Sequence, residues 1–582
     1  MAGSKKILFA DLSARTSRVE EIDVPGLLGL GGKVLGTRLL ERYLDPGAHP
    51  LSPENILVIT PSPVSAYGMS GSDRFAAFTR SPLTGIWLEA YCGGSFARTL
   101  RETEWDAVII TGASDAPVRL HITREGVEFV PAEDLWGKDP TALEAELLPA
   151  LDKRSAVLSI GVAGEKLVSI ASVMHEQAHS LGRGGMGAVF GSKKLKAVSV
   201  TSPGPIKMEA QEQFVATRRE ISKLAMDSPT ADNYHRFGTP VMVGLLNETG
   251  AFPTDFFTKG AAPHRATLEA EHWPEWATIE SSTCPPCPMR CRKRLILTEG
   301  PEAGRELHGA EYETLYVFGG SCMVEHARDV AKLNERCNLL GIDTISGGNL
   351  AAIAIKGKQL GLIPEGPDPG DVEAVDLLLD EIGRRSTPLG DTLAQGMDEA
   401  LAQFGMSDWS ITSKHMDPAG YEPRRLKGMA LSYAVSVRGA CHLRSTFYKP
   451  ELGGMLQGLD DEAYVETYID WEDRMLLIDS LSMCRFYRDF LSWENVASIA
   501  SQLSGDQVTR EALKELANDT ITRIRVLNFA MGAVPADDTV AERFFREATD
   551  KAPALDRDEF ERRIRLYWRL RGWNEDGTVA QG

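Results

Sequence analysis

Apolar residues in the first third of the chain come in short, mostly unbroken runs: Ile56-Leu57-Val58-Ile59-Thr60, Ala107-Val108-Ile109-Ile110 and Val198-Ser199-Val200. Such runs, bounded by turn residues, predict buried strands. Glycine is dense over the same stretch, and Pro203-Gly204-Pro205 then punctuates the chain. Beyond it the period changes. Val330, Leu333, Cys337 and Leu340 share one face of a helix over 326–341, and 371–385, 509–530 and 557–570 repeat the pattern. A second cluster of turn residues lies at Pro418–Pro423, and no repeat of 20–50 residues is present. The reading is an α+β fold: a β-rich segment 1–205, then mainly helical segments 206–417 and 418–582. Three domains suit 582 residues at roughly 100–200 residues per domain.

Composition changes this picture little. With 43% hydrophobic and 25% charged residues the chain has the make-up of a globular protein, with no disordered tail. Charge excludes more. A net charge of −19 and a pI near 5.2 exclude a nucleic-acid partner, which needs a basic surface, and leave room for a local basic site inside. The start, Met1-Ala2-Gly3-Ser4-Lys5-Lys6, lacks a long apolar core and Asp11 follows early, so no signal peptide is expected. No stretch approaches the ~20 apolar residues of a membrane span. The expected location is the cytoplasm, where the eight cysteines stay reduced and clustered ones serve as metal ligands.

Thr283-Cys284-Pro285-Pro286-Cys287-Pro288-Met289-Arg290-Cys291 carries the sharpest local signal. CxxCxxxC places three thiols close enough to converge. Zinc sites usually show two separated pairs, whereas three close cysteines with one distant ligand suit an iron–sulfur cluster. A zinc knuckle or three unliganded thiols are the alternatives. Pro285, Pro286 and Pro288 fix φ and withhold N–H donors, which favours a set, non-helical loop. Spacing does not identify the fourth ligand. Gly182-Arg183-Gly184-Gly185-Met186-Gly187 satisfies GxGxxG. Met174–His179 before it does not read as a buried strand, and Gly191-Ser192-Lys193-Lys194 interrupts the stretch after it, so a dinucleotide-binding unit is not expected. Bare backbone N–H groups and Arg183 still suit an anion.

Several segments together resemble the aldehyde ferredoxin oxidoreductases, tungsten bis-pyranopterin enzymes. The ordered set is Gly31-Gly32-Lys33-Val34-Leu35-Gly36; Arg74 with Ser81–Gly85 and Gly93-Gly94; Gly182–Lys193; Glu311-Tyr312-Glu313-Thr314; Arg438-Gly439-Ala440-Cys441-His442-Leu443-Arg444; and Arg571-Gly572-Trp573. It runs nearly end to end, with the cysteine motif in its middle. Two further pieces resemble the family's paired pterin motifs. Asn338-Leu339-Leu340-Gly341-Ile342-Asp343 is similar to DxxGLD, and Asp479-Ser480-Leu481-Ser482-Met483-Cys484 to DxxGLC. Asn338 stands where the motif has Asp, and Ser482 where it has Gly.

The resemblance implies a β-rich pterin-cradling segment 1–205. Segment 206–417 would carry three cluster cysteines and the first pterin motif, and segment 418–582 the second motif and the fourth cysteine. It implies a tungsten ion on two pterins with no protein ligand, one [4Fe–4S] cluster on Cys284, Cys287, Cys291 and Cys484, and a magnesium ion bridging the pterin phosphates. Tyr91 stands where a short polar residue would face that ion. The implied pterin-binding residues are Arg74, Gly93, Gly94, Arg183, Gly184, Gly185, Gly187, Asn338, Gly341, Ile342, Asp343, Arg438, Arg444, Asp479, Ser482 and Met483. Carboxylates and backbone groups at helix ends can read the N–H and NH₂ edge of a pterin.

By the same resemblance, Glu313 and His442 lie beside the metal, as general base and as hydrogen-bond donor to the substrate carbonyl. Without it, Glu313 reads as a capping or solvated carboxylate, His442 as a core histidine, Glu311 as a rival base and Cys441 as a small buried residue. The implied reaction takes a small aldehyde and water to a carboxylic acid. Electrons would pass through the cluster to ferredoxin or a ferredoxin-like subunit, within an oligomer or hetero-complex. Two other readings are the tungsten subunit of a benzoyl-CoA-reducing complex and a non-catalytic Fe–S electron-transfer protein. Retention of Glu313 and His442 weighs against the first, and two pterin motifs against the second. The basic clusters Lys193-Lys194 with Lys196, and Arg424-Arg425 with Lys427, fall in family motifs and leave no spare cations for the phosphates of CoA.

Overall fold

The computed structural model describes residues 4–24, 26–206, 208–284 and 287–580. Met1–Gly3, at the start of the segment taken to lack a leader, and Pro285 and Pro286, expected to fix a loop, lie outside the described residues. Residues 4–201 hold two six-stranded sheets. The first comprises β1 (Ser4–Asp11), β2 (Thr16–Asp23), β3 (Leu57–Pro61), β4 (Arg74–Arg80), β5 (Trp87–Gly93) and β6 (Ala107–Thr111), in the order β2-β1-β6-β3-β4-β5. The second comprises β7 (Val118–Ile122), β8 (Val127–Pro131), β9 (Ser155–Ile160), β10 (Val173–His175), β11 (His179–Leu181) and β12 (Leu195–Thr201), in the order β11-β10-β9-β12-β7-β8.

The first sheet is the middle layer. Leu57, Ile59, Phe75, Ala77, Val108 and Ile110 pack one of its faces against Leu120, Leu158 and Val198 of the second sheet. The alternate residues Val58, Ala76, Phe78, Trp87, Ala107 and Ile109 join the core of the helical segments. Side chains alternate across a strand, so a strand covered on both faces needs apolar residues throughout. That is why its runs showed no alternation.

The predicted helices are present at Ala327–Leu340, Val372–Arg384, Arg510–Ala530 and Arg557–Leu570. Several others were not foreseen, Thr344–Gln359 and Asp461–Ser480 among them. Residues 345–357 of the former are all buried, and a helix covered all round carries no polar stripe to give a period. A small antiparallel sheet was also missed: β13 (Ala277–Ser282), β14 (Arg292–Leu297) and β15 (Glu306–His308). Ser282 pairs with Arg292, so the cysteine motif is the loop of a hairpin. The expectation around the glycine loop is corrected. A buried strand, β10, does run into Met174–His179, β11 leads into the loop, and the helix Met186–Ser192 comes after it. β11 is an antiparallel edge strand paired with β10, so the unit is not the parallel βαβ of a dinucleotide fold.

The two six-residue motifs are one device used twice. At the end of Ala327–Leu340, Gly341 takes φ +72°, its N–H reaches the Asn338 carbonyl at 3.2 Å, and the Ile342 N–H reaches the Cys337 carbonyl at 3.0 Å. At the end of Asp461–Ser480, Ser482 takes φ +47°, with Ser482 N–H to Asp479 O at 2.9 Å and Met483 N–H to Ile478 O at 3.0 Å. Both are Schellman caps with a left-handed fourth position. The sixth residue of each leaves the helix and donates its N–H to the β-rich segment: Asp343 to the Ile170 carbonyl at 3.0 Å, Cys484 to the Gly71 carbonyl at 2.8 Å. Left-handed backbone costs an L-residue about 1–2 kcal/mol, and the Ser482 hydroxyl is buried without a partner. Ser482→Gly should therefore raise the thermal unfolding midpoint by the equivalent of up to about 1 kcal/mol. Gly341→Ala should lower it by at least as much, since the new Cβ would lie 2.8 Å from Gly161 N. A fall in both would place the constraint in the Ser482 side chain, not its backbone.

Candidate functional site

A cavity of about 430 Å³ opens between the β4–β5 edge, the glycine loop, the cysteine hairpin and the ends of the two capped helices. That is within the range of pockets that enclose a cofactor. Its wall carries Arg74, Arg183, Arg292, Lys293, Arg438, Arg444, Arg485 and Arg488 against Asp73, Glu311, Glu313, Asp343 and Asp479. An acidic chain has thus gathered its cations around one internal space, which suits an anionic occupant. Arg438 Nε, Arg444 Nε, Arg485 Nε, Glu313 Oε1 and His442 Nδ1 are buried without hydrogen-bond partners. Buried polar atoms are almost always paired, so orphans along one wall fit a polar group held there.

The four cysteines meet at one end of the cavity. Cys284, Cys287 and Cys291 come from the hairpin loop and Cys484 from the residue after the second cap, and all four line the wall. Cys284 Sγ lies 3.7 Å from His179 Nε2, and Cys287 Sγ 3.3 Å from the Tyr487 hydroxyl. Burial raises the Cys284 thiol to about 11 and pushes Cys291 and Cys484 up as well, the neighbouring thiols adding to the effect. Among the described residues no three His, Cys, Asp or Glu side chains are set around a single metal ion.

Two buried ion networks tie the β-rich segment to the capped helices. In the first, Arg183 of the glycine loop donates through Nε to Asp343 at 3.0 Å, and its Nη2 lies 3.1 Å from Asp417 Oδ2. Ser346 and Asn349, on the helix that Asp343 caps, hold Asp417 at 2.8 and 2.6 Å. In the second, Glu89 of β5 lies 3.0 Å from Lys33 Nζ, pairs with Arg444 and accepts the Tyr91 hydroxyl at 2.6 Å. Arg444 and Arg485 then hold Asp479 at 2.9 and 2.6 Å. Burial alone would raise the Glu89 carboxyl, but Arg444 and Lys33 overcome it and hold it at about 2. The Tyr91 hydroxyl is spent on Glu89.

Glu313 and His442 face each other further along the wall. Glu313 sits in the short turn Tyr312–Thr314, which runs into the π-helix Leu315–Ser321, a form frequent at functional sites. Its Oε2 accepts the Gly420 N–H at 2.8 Å, and Oε1 lies 3.4 Å from His442 Nε2. Burial raises Glu313 to about 8. Burial, reinforced by Arg183, Arg438, Arg444 and Arg485, drives His442 far down, so its imidazole is neutral. Glu311 is near the cysteine end, hydrogen-bonded to Thr239. Cys441 is buried, with Arg438 Nη2 2.9 Å from its sulfur. Tyr421 lies 5.5 Å from the His442 ring and stacks on Tyr448 at 4.0 Å.

Of the residues expected from the sequence, Arg74, Gly93, Arg183, Asp343, Arg438, Arg444, Asp479, Met483, Glu313, His442 and the four cysteines line this cavity. Gly94, Gly184, Gly185, Gly187, Asn338, Gly341, Ile342 and Ser482 do not line it. Gly187 has no room for a Cβ, which would lie 2.5 Å from the Ser172 carbonyl. Lys193 and Lys196 are spent on the carbonyls of Pro53, Gly112 and Ile160 and on Glu165, and Arg424 on Glu422. Sequence reasoning missed Glu89, Lys33, Asp417, Arg485 and Arg488. Glu89 left a faint signal, a lone carboxylate in the apolar run Trp87-Leu88-Glu89-Ala90.

Comparison with known proteins accounts for most of the chain. Residues 7–202 match the family model described as the aldehyde ferredoxin oxidoreductase N-terminal domain, and residues 216–582 the one described as domains 2 and 3 of the same protein. The tungsten-containing aldehyde ferredoxin oxidoreductase of Pyrococcus furiosus is 30% identical over 592 residues, covering 99% of this chain and 97% of the relative. That of Thermococcus kodakarensis is 30% identical over 597 residues with the same coverage. Among solved structures, the active site complex BamBC of benzoyl coenzyme A reductase with 1,5-dienoyl-CoA superposes with a TM-score of 0.82 at 21% identity. The match spans 100% of this chain and 96% of that chain, and shows a shared fold.

The second ion network gives a direct test. Removing one member of a buried pair strands the other charges and costs about 3–5 kcal/mol. Glu89→Gln should lose that much at pH 7 in chemical unfolding. A carboxylate held near 2 in the fold contributes stability above its unfolded value of 4.5, lost as pH falls toward 2. The gap between parent and variant should therefore narrow below about pH 4.5. Equal stability at pH 7 would show that Asp479 alone balances Lys33, Arg444 and Arg485.

Proposed function

The chain belongs to the aldehyde ferredoxin oxidoreductase family, and we propose that it is a tungsten–pterin oxidoreductase that converts an aldehyde and water to a carboxylic acid. Electrons leave through one [4Fe–4S] cluster to ferredoxin or a ferredoxin-like subunit. The observation that carries this reading is the pairing of Glu313 with His442 in a cation-lined cavity that ends on four cysteines.

The wall fits the cofactors by its chemistry. Arg74 and Arg438 have no carboxylate partner there and suit pterin phosphates. Asp343 and Asp479, fixed at helix ends, suit the donor edges of two pterin rings. Four thiols that are not set around one ion would hold a cluster better than a single zinc ion. When bound, the tungsten–pterin group supplies the two-electron redox chemistry and the cluster relays single electrons.

The chain's own residues do the rest. Glu313, with its carboxyl near 8, exchanges a proton with water close to neutral pH. Neutral His442 can donate an N–H to a carbonyl oxygen. Tyr421 and Tyr448 hold an apolar wall beside them that orients the organic part of the substrate. A CoA thioester would need cations of its own at the mouth, and Lys193, Lys196 and Arg424 are already committed inside the fold.

Glu313→Gln should cut aldehyde-dependent reduction of a viologen dye by about 10²–10⁴-fold, with tungsten and iron contents unchanged. In the parent, turnover should climb with pH as Glu313 loses its proton around 8, and the variant should lack that limb. Normal turnover in Glu313→Gln with loss in Glu311→Gln would move the base to Glu311. Reduction of benzoyl-CoA by cofactor-replete enzyme with no aldehyde activity would replace the reaction altogether.

A further inference from the structure

Beyond Glu313 and His442 the wall of the cavity is aromatic. Tyr421, next to His442, stacks on Tyr448 at 4.0 Å, and Tyr234 stacks on Phe486 at 4.3 Å. All four rings line the cavity, and so does Arg488. Arg488 stands between the two pairs. Its guanidinium carbon lies 6.0 Å from the Tyr448 ring centre, and its side chain hydrogen-bonds the Tyr234 hydroxyl.

Arg488 is 4% exposed. Its Nη1 donates to the Arg485 carbonyl at 2.9 Å, and its Nε is buried without a hydrogen-bond partner. Among the described residues no carboxylate pairs with it, and Asp489, beside it in the chain, pairs with Lys449. A guanidinium stays charged in a protein, and a buried charge without a partner costs several kcal/mol. An occupant that brings a negative charge would remove that cost. The unpaired arginines Arg74 and Arg438 belong to another part of the wall, since they hold the Tyr91 and Glu89 carbonyls of β5. Arg488 is instead set among the rings that lead away from His442.

The local charge count limits what that occupant is. Arg485 is held by Asp479, Lys449 by Asp489, and Arg474 by the carbonyls of Arg488 and Leu491. One unpaired guanidinium, with a tyrosine hydroxyl beside it, matches a single carboxylate, whose two oxygens suit the planar fork. A phosphate dianion would need a second cation.

We infer that Arg488 is a substrate-binding residue and that the aldehyde it selects carries a carboxylate at its far end. The carbonyl sits at Glu313 and His442, the hydrocarbon part lies along Tyr421 and Tyr448, and the carboxylate meets Arg488 and the Tyr234 hydroxyl. This rests on the proposed aldehyde oxidation and names its substrate class. The reaction is unchanged: aldehyde and water give the acid, two protons and two electrons, and two ferredoxin-type carriers take one electron each. The product is a dicarboxylate.

The test uses the full, cofactor-loaded chain and two matched pairs, 4-carboxybenzaldehyde against benzaldehyde and succinic semialdehyde against butanal. In at least one pair the parent should favour the carboxylate in kcat/KM by about 10–100-fold, through KM, as expected for hydrogen bonds to a charged group. Arg488→Gln should lose most of that ratio, and Arg488→Lys should regain part of it. The dicarboxylate product of the favoured pair should bind the parent without turnover, and bind Arg488→Gln at least about 10-fold more weakly, at equal iron content. No preference in the parent for either pair would overturn the assignment. So would an equal loss for both members of a pair in Arg488→Gln, which would mark Arg488 as a counter-ion for the cysteine end. Dicarboxylate binding that depends on Arg488, in a parent with no aldehyde activity, would sink the proposed reaction and leave the carboxylate subsite standing.

Discussion

Buried charge has to be balanced, and the interior of this protein is arranged around that requirement. An unpaired ion in a low-dielectric interior costs several kcal/mol. Yet the cavity wall gathers cations and carboxylates that both need partners. The two ion networks reconcile these needs. Arg183 is held between Asp343 and Asp417, and Glu89 collects Lys33 and Arg444 while Arg444 and Arg485 share Asp479. In the first, a cation of the β-rich segment meets a capped-helix carboxylate directly, and in the second Arg444 joins Glu89 of the β-rich segment to Asp479 of a capped helix. The contacts that neutralise the site are therefore the same ones that join the layers of the fold.

The caps explain why the networks are placed where they are. A left-handed fourth residue ends each helix abruptly and turns the sixth residue toward the β-rich segment, where its N–H finds a carbonyl. One copy delivers a carboxylate at that position, Asp343, and the other a thiol, Cys484. Between these ends the wall is graded. Thiols and Glu311 lie at one end, and Glu313 with neutral His442 and the stacked tyrosines lie along the rest. Such a gradient separates a thiol-rich zone from one with a carboxyl–imidazole pair and an aromatic wall.

The sequence made some of this readable and hid the rest for physical reasons. Helices with one buried stripe, such as Ala327–Leu340, announced themselves to within a residue or two. Thr344–Gln359 did not, because its surroundings bury nearly every side chain. The hairpin β13–β14 was hidden by the turn chemistry of the cysteine loop it carries. Motif residues with special chemistry, the cysteines, Glu313, His442, Asp343 and Asp479, were legible through family resemblance. Glu89 and Asp417 were not, because their roles exist only when partners hundreds of positions away fold against them. Family resemblance exposed Ser482 as a departure, and its φ of +47° explains why glycine is the easier occupant.

Glu89 and Arg444 are 355 residues apart in the chain, and Arg183 and Asp417 are 234 apart. Closing a loop of that length costs about 2 kcal/mol more than closing one ten times shorter, and such contacts are slow to form. The sheets and individual helices can form early, while the walls of the cavity come together only when the last segment docks. Until then Lys33, Glu89 and Asp343 face water and carry no burial penalty. Whatever binds in the finished cavity acts by mass action on that final step. Supply of the bound groups thus helps to set how much of the chain survives synthesis in its closed form.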